Sequence, residues 1–135
     1  MDRLFLDANV LFSAAYREDA GVRALWSLES VALTTSSYAA EEAERNLPKR
    51  EQKKRLRELL QAVQLVAAAT LPESARQGVI LPDKDWPIVA GAIAAGCTHL
   101  ITGDARHFGP YFSERIAGVL VLPPAEYLRR ARGRS

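Results

Sequence analysis

Arg3-Leu4-Phe5-Leu6-Asp7-Ala8-Asn9-Val10-Leu11-Phe12 decides how this chain is read. Leu4 to Leu6 form an apolar run of strand type. Asp7 puts a carboxylate where the run stops. Val10, Leu11, Ala14 and Ala15 then recur at helical spacing, which predicts a helix over 8–17. A buried strand that ends in an acid and passes straight into a helix is the unit from which open α/β sheets build sites, in the crevice beyond their strands' carboxyl ends. Taken alone, such an acid is ordinarily a helix cap or turn former. The reading therefore turns on whether other acids reach the same place.

The rest of the chain continues the alternation. Gly21 breaks the first helix, and Val22, Leu25, Trp26 and Leu28 predict a second, amphipathic one. A second strand is expected over 31–35. Ser36 and Ser37 are N-cap candidates for a helix over 38–47 that carries Glu41, Glu42 and Glu44. Pro48 stops that helix. The next, over 49–63, has Leu56, Leu59, Leu60 and Val63 as its inner stripe. A third strand follows over 64–67, then a loop with a short helix over 70–77, closed by Gly78. Pro87 suits a first helical turn, and the segment 88–95 is apolar all round, so a buried helix ended by Gly96 is expected. A fourth strand over 98–102 runs into Gly103-Asp104. After a loop or short helix over 106–112 come a last strand over 116–122 and a helix over 125–132 that starts at Pro123-Pro124. Strands alternating with helices indicate an α/β class, a three-layer domain with a mostly parallel central sheet flanked by helices. At 135 residues, one domain over 1–135 is expected.

Composition narrows the function classes. An apolar fraction of 48% with 25% charged residues is that of an ordinary globular protein. No apolar run is long enough to span a membrane, and no signal peptide opens the chain, so a cytoplasmic location is the expectation. Cys97 is the one cysteine; it fits a reducing compartment and reads as a small core residue. His99 and His107 give no paired zinc signature. Net charge is only +2, but Arg45, Lys49, Arg50, Lys53, Lys54, Arg55 and Arg57 cluster, as do Arg129, Arg130, Arg132 and Arg134. Such runs are either solvated helix faces or attractors of a phosphate backbone.

Asp7 follows the first strand and Asp104 the fourth. Asp83 and Asp85 begin the buried helix, and Glu41 and Glu42 lie on the helix after the second strand. In a parallel sheet these places share one edge. Clustered carboxylates repel and are costly to desolvate, so a compact set implies a cation. Oxygen donors without paired histidine or cysteine suit Mg²⁺ or Mn²⁺. A water on such an ion can attack phosphorus, and basic helices nearby make a phosphodiester the natural substrate.

Together these segments resemble the PIN-domain nucleases, in particular the small VapC-type toxins. The resemblance is carried by Leu4-Phe5-Leu6-Asp7-Ala8-Asn9-Val10, by 37–47 with Glu41-Glu42, by Asp85-Trp86-Pro87-Ile88-Val89-Ala90-Gly91-Ala92, and by Leu100-Ile101-Thr102-Gly103-Asp104-Ala105-Arg106-His107-Phe108. It implies Mg²⁺- or Mn²⁺-dependent cleavage of RNA, an antitoxin partner and often a homodimer. Its acidic set falls on Asp7, Glu42, Asp85 and Asp104. Asp7 and Asp104 would ligate the metal directly, Asp85 directly or through water, and Glu42 would position a water or a second ion. Asn9 and Thr102 would hold the carboxylates by hydrogen bonds. Glu42 is preferred to Glu41 because Leu47 then fits the family spacing, and Asp85 to Asp83 because it is nearer the buried helix. Many relatives carry a further acid two residues after the last one, where this chain has Arg106; a single ion is therefore favoured. His107 reads as a structural loop residue. Tyr38, Trp86 and Phe108 are either core or platforms for unpaired bases. The competing reading is a PIN-like regulator that binds RNA or protein without cutting. A phosphotransfer domain with Asp7 as nucleophile is disfavoured, because Asn9 stands where such domains carry a second Asp.

Overall fold

The computed structural model describes residues 1–133. Arg134, part of the C-terminal basic run, lies outside the described residues. Strand β1 (Asp2–Leu6) lies inside a six-stranded sheet of order β3-β2-β1-β4-β6-β5. Leu4, Phe5 and Leu6 are all fully buried, which explains their lack of polar alternation: a parallel strand covered on both faces has no wet side. β2 (Val31–Ser36) pairs parallel on one side of β1, with Asp2 opposite Val31, and β4 (His99–Ile101) pairs parallel on the other, with Leu6 opposite Ile101. β3 (Gln64–Val66) extends the sheet parallel beyond β2, and β6 (Val119–Leu122) parallel beyond β4. Helices flank this sheet in three layers, as the alternation predicts.

Chain order fixes where a crevice can open. β1, β2 and β3 step outward in one direction, and the chain then returns to lay β4 on the other side of β1. The strand order reverses between β1 and β4, and a crevice opens at the carboxyl ends of two strands where their connections part in opposite directions.

Helix α1 (Ala8–Tyr16) packs on α2 (Ser37–Asn46) and α3 (Arg50–Leu60). The end of α1 is tied down by α3: Arg55 donates to the Ala15 carbonyl at 2.6 Å and Gln52 Nε2 to the Tyr16 carbonyl at 3.1 Å. Helix α4 (Trp86–Ala94) touches β1, β2 and β4. Gly91 permits that approach. A Cβ there would sit 3.0 Å from Cε2 and Cζ of the buried Phe5 ring. α5 (Ala105–Phe108) and α6 (Pro124–Arg132) complete the set.

Three segments differ from the sequence reading. The strand expected over 116–122 is two strands, β5 (Arg115–Ile116) and β6, paired antiparallel. Ala117 and Gly118 both have positive φ, 51° and 87°, and form the two-residue hairpin turn between them. Alanine is an unusual residue for such a turn, so the apolar run gives no warning of it. The expected helix after Gly21 is a 3₁₀ helix over Gly21–Ser27, and Gly21 begins it. The long basic helix ends at Leu60, earlier than its apolar stripe suggests, because Ala62 and Val63 take tighter bonds to the Leu59 and Leu60 carbonyls on the way into β3. No helix among the described residues is long and apolar enough to cross a membrane.

Packing of α4 on β1 gives a direct test. Gly91→Val drives two extra methyl groups toward the Phe5 ring and should cost about 2 kcal/mol, read as a lowered midpoint in urea. An unchanged midpoint would mean that α4 does not sit this close to β1.

Candidate metal centre

Asp7 leaves β1 at the switch point, where its backbone N–H donates to the Ile101 carbonyl of β4 at 3.0 Å. Its carboxylate is 5% exposed, yet both oxygens are bonded. Oδ1 accepts from the Ala8 N–H at 2.7 Å, which caps α1. Oδ2 accepts from the Thr102 hydroxyl at 2.9 Å and from Asn9 Nδ2 at 3.1 Å. Asn9 also accepts from the Gly103 N–H at 2.7 Å through Oδ1, and Thr102 Oγ1 accepts from the Asp104 N–H at 3.1 Å. The exits of β1 and β4 are thus laced together by short polar side chains, and the loop that carries Asp104 is fixed relative to Asp7.

Asp104 has two jobs. Oδ1 accepts the backbone N–H of His107 at 3.1 Å and so caps α5, while Oδ2 lies 2.8 Å from His107 Nδ1. Asp85 arrives from the other direction. It ends the 3₁₀ turn Asp83–Asp85 that runs into α4, with helical backbone, and its side chain makes no capping bond. Its Oδ2 lies 3.1 Å from the same His107 nitrogen. That nitrogen carries at most one proton, and the hydrogen-bonding geometry gives it to Asp104. Asp85 Oδ2 is left buried without a hydrogen bond, in a residue 8% exposed. Ligand atoms of Asp85, Asp104 and His107 all lie within 4.8 Å of one another. Asp7 stands outside that trio.

Electrostatics tie the remaining acids to it. Burial pushes the Asp7 carboxyl up to about 6, against its bonds to Thr102 and Ala8, and the charges of Asp85 and Glu42 push it further the same way. Asp85 is raised by burial, eased by His107 and Lys84, and raised again by Asp104 and Glu42. Glu42 is half-buried on α2, whereas Glu41 is exposed. Asp83 is likewise exposed and Asp85 buried. Tyr38 donates its hydroxyl to the Lys84 carbonyl at 2.8 Å, tethering the turn before Asp85 to the helix that carries Glu42. Its phenol is raised, first by burial and then by the charges of Glu42 and Asp85.

Other candidates fall away from the crevice. Phe108 is fully buried, and Trp86 is buried with the Arg76 guanidinium 4.6 Å over its ring, so both belong to the core rather than to a base-stacking surface. Arg106 is exposed. Cys97 is a buried thiol that burial pushes up to about 11, which leaves it inert at neutral pH. His107 is the residue that sequence reasoning set aside. Its signal was its place three residues after a helix-capping Asp, where the two side chains meet on one face.

The donor chemistry fits a divalent cation. Three oxygen and nitrogen donors converge, one buried carboxylate oxygen has no hydrogen bond, and a third acid, Asp7, is held off its ordinary ionisation. Two other buried atoms without a hydrogen bond, Thr34 Oγ1 and Arg76 Nε, belong to no acidic group.

Linkage gives the sign of the pH dependence. Asp7 titrates near 6 folded and near 3.8 unfolded, so the folded state holds the proton more tightly, and raising the pH through that window disfavours the fold. The full cost above the window is about 3 kcal/mol, at roughly 1.4 kcal/mol per unit. In chelator, the melting temperature should fall between pH 4 and pH 6.5 relative to that of Asp7→Asn. Parallel curves for the two proteins would show that Asp7 ionises normally.

Comparison with known proteins agrees with the fold. The family model of the PIN domain matches residues 3–106. No curated protein matches the chain. Among solved structures, it is similar to VapBC2 from Rickettsia felis bound to a DNA fragment from its promoter, with a TM-score of 0.63 and 16% identity over 90% of this chain and 98% of that one. FitAcB from Neisseria gonorrhoeae gives a TM-score of 0.59 at 20% identity, over 90% and 98%. A toxin–antitoxin complex from Klebsiella pneumoniae gives 0.59 at 23%, over 90% and 97%. By the family model, the chain belongs to the PIN-domain family.

Proposed function

We propose that this chain is a divalent-metal-dependent endoribonuclease and the toxin of a toxin–antitoxin pair. The observation that carries the reading is the buried, unbonded Asp85 oxygen facing Asp104 at the strand-order reversal, with Asp7 alongside. Asp85 and Asp104 hold the ion, Mg²⁺ or Mn²⁺. Asp7, a direct ligand by the family resemblance, lies outside the group of Asp85, Asp104 and His107 and adds its negative charge to the field of Asp85, and Asn9 and Thr102 keep its carboxylate in place. Bound there, the ion supplies an acidified water and a counter-charge for the phosphate oxygens. Glu42, which shares the field of Asp7 and Asp85, orients the attacking water.

RNA is the substrate that suits the exposed basic residues of α2 and α3. Arg45, Lys49, Arg50 and Lys54 lie along α2 and α3 on the outer surface and attract a phosphate backbone without reading sequence. Lys53 and Arg57 are partly spent on the structure, on the Glu44 carbonyl and carboxylate respectively. Likeness to toxin–antitoxin complexes supports an antitoxin partner. A homodimer and a cytoplasmic location are proposed on the family resemblance and the composition.

Fluorescent RNAs of varied sequence provide the test. Cleavage should require Mg²⁺ or Mn²⁺ and stop in chelator, and Asp104→Asn should lower the rate by about 100-fold at unchanged far-UV circular dichroism. Cutting at the wild-type rate by Asp104→Asn, or binding of every RNA without cutting at saturating metal, would favour a non-cleaving regulator instead.

A further inference from the structure

We propose that His107 ligates, through Nδ1, the same divalent ion as Asp85 and Asp104, and that this nitrogen tilts the site toward Mn²⁺ over Mg²⁺. This rests on the proposed metal-dependent function and adds to it a ligand and a selectivity.

The imidazole is locked in place. Asp104 accepts the backbone N–H of His107 through Oδ1, so the single turn of α5 sets the ring against the other oxygen of the same carboxylate. Nδ1 then lies 2.8 Å from Asp104 Oδ2 and 3.1 Å from Asp85 Oδ2. With both carboxylates ionised, the protein groups leave one acceptor over. One proton on Nδ1 serves one acceptor, and the other carboxylate oxygen stays buried with nothing to bond; in the structure that oxygen is Asp85 Oδ2. A cation satisfies all three donors at once.

The spacing also suits a cation. Neighbouring ligands on an octahedral ion with bonds of about 2.1 Å are about 3.0 Å apart. The two separations at His107 bracket that value, and the three donor atoms span no more than 4.8 Å. The ligand set is then two carboxylates and one imidazole. Mg²⁺ takes oxygen almost exclusively and keeps its waters, whereas Mn²⁺ accepts an imidazole nitrogen readily. Two oxygens and a nitrogen therefore favour Mn²⁺.

The test uses the full chain, stripped of metal and titrated with MnCl₂ and with MgCl₂. Wild type should bind Mn²⁺ about 10-fold or more tightly than Mg²⁺, and pulsed electron paramagnetic resonance of the Mn²⁺ form should show ¹⁴N modulation from a directly bound imidazole. His107→Ala, which offers no donor, should lose that modulation and weaken Mn²⁺ by about 10-fold, with Mg²⁺ changed by less than about 3-fold. Stoichiometric Mn²⁺ without ¹⁴N modulation in wild type overturns the role of His107 and leaves the nuclease reading standing; this measurement needs no variant. Failure of wild type to bind either ion overturns both.

Discussion

The carboxylate of Asp7 is buried at the exit of the central strand, and much of the local structure comes from keeping it there. A charge in that position is costly, and the chain offsets the cost with three hydrogen bonds, from Ala8, Asn9 and Thr102. Two of those donors do more than solvate the acid. Asn9 binds the Gly103 amide and Thr102 the Asp104 amide, so the same few atoms that hold the first acid fix the loop of the last one. Compensation is incomplete, as the upward push on Asp7 and Asp85 shows. Stability lost at the crevice is recovered in the apolar contact of α4 with β1 and in the covered strand Leu4–Phe5–Leu6.

The bland and the functional readings of these acids turn out to be compatible. Asp7 caps α1 through one oxygen and takes the hydrogen bonds of Thr102 and Asn9 on the other, at the exits of β1 and β4. Asp104 caps α5 in the same divided way. Capping uses one oxygen of a carboxylate, so a strand-end Asp can begin a helix and still contribute to a site. Asp85 differs: its backbone is helical, in the 3₁₀ turn Asp83–Asp85 that runs into α4, so its side chain has no capping bond to make. A buried carboxylate oxygen with no local bond calls for another partner.

Much of the fold was legible because its signals are local. The apolar runs, Pro87, and the Ala- and Gly-rich helix around Gly91 mark strands and a buried helix without any knowledge of pairing. The hairpin at Ala117-Gly118 was not, because its turn residues lack the usual chemistry and the flanking apolar residues run on unbroken. Strand order gave no sequence signal either: that acids follow the first and fourth strands placed them on one edge of the sheet but did not make those strands neighbours. In the site, the choice of Glu42 over Glu41 and of Asp85 over Asp83 rested on spacing along the chain; that Glu42 and Asp85 are also the more covered of each pair is a tertiary fact. The contact of His107 with Asp85 joins two distant segments, and no spacing along the chain reveals it. Its contact with Asp104, three residues away, was within reach of helical geometry alone.

One divalent ion between Asp85 and Asp104 is the claim on which the functional account stands. Crystals grown with MnCl₂, with data collected near the manganese edge, test it directly. The expected result is a single anomalous peak within bonding distance of both carboxylates, at the carboxyl ends of β1 and β4. A map with no peak there at saturating Mn²⁺, or with the ion held elsewhere on the surface, would contradict it.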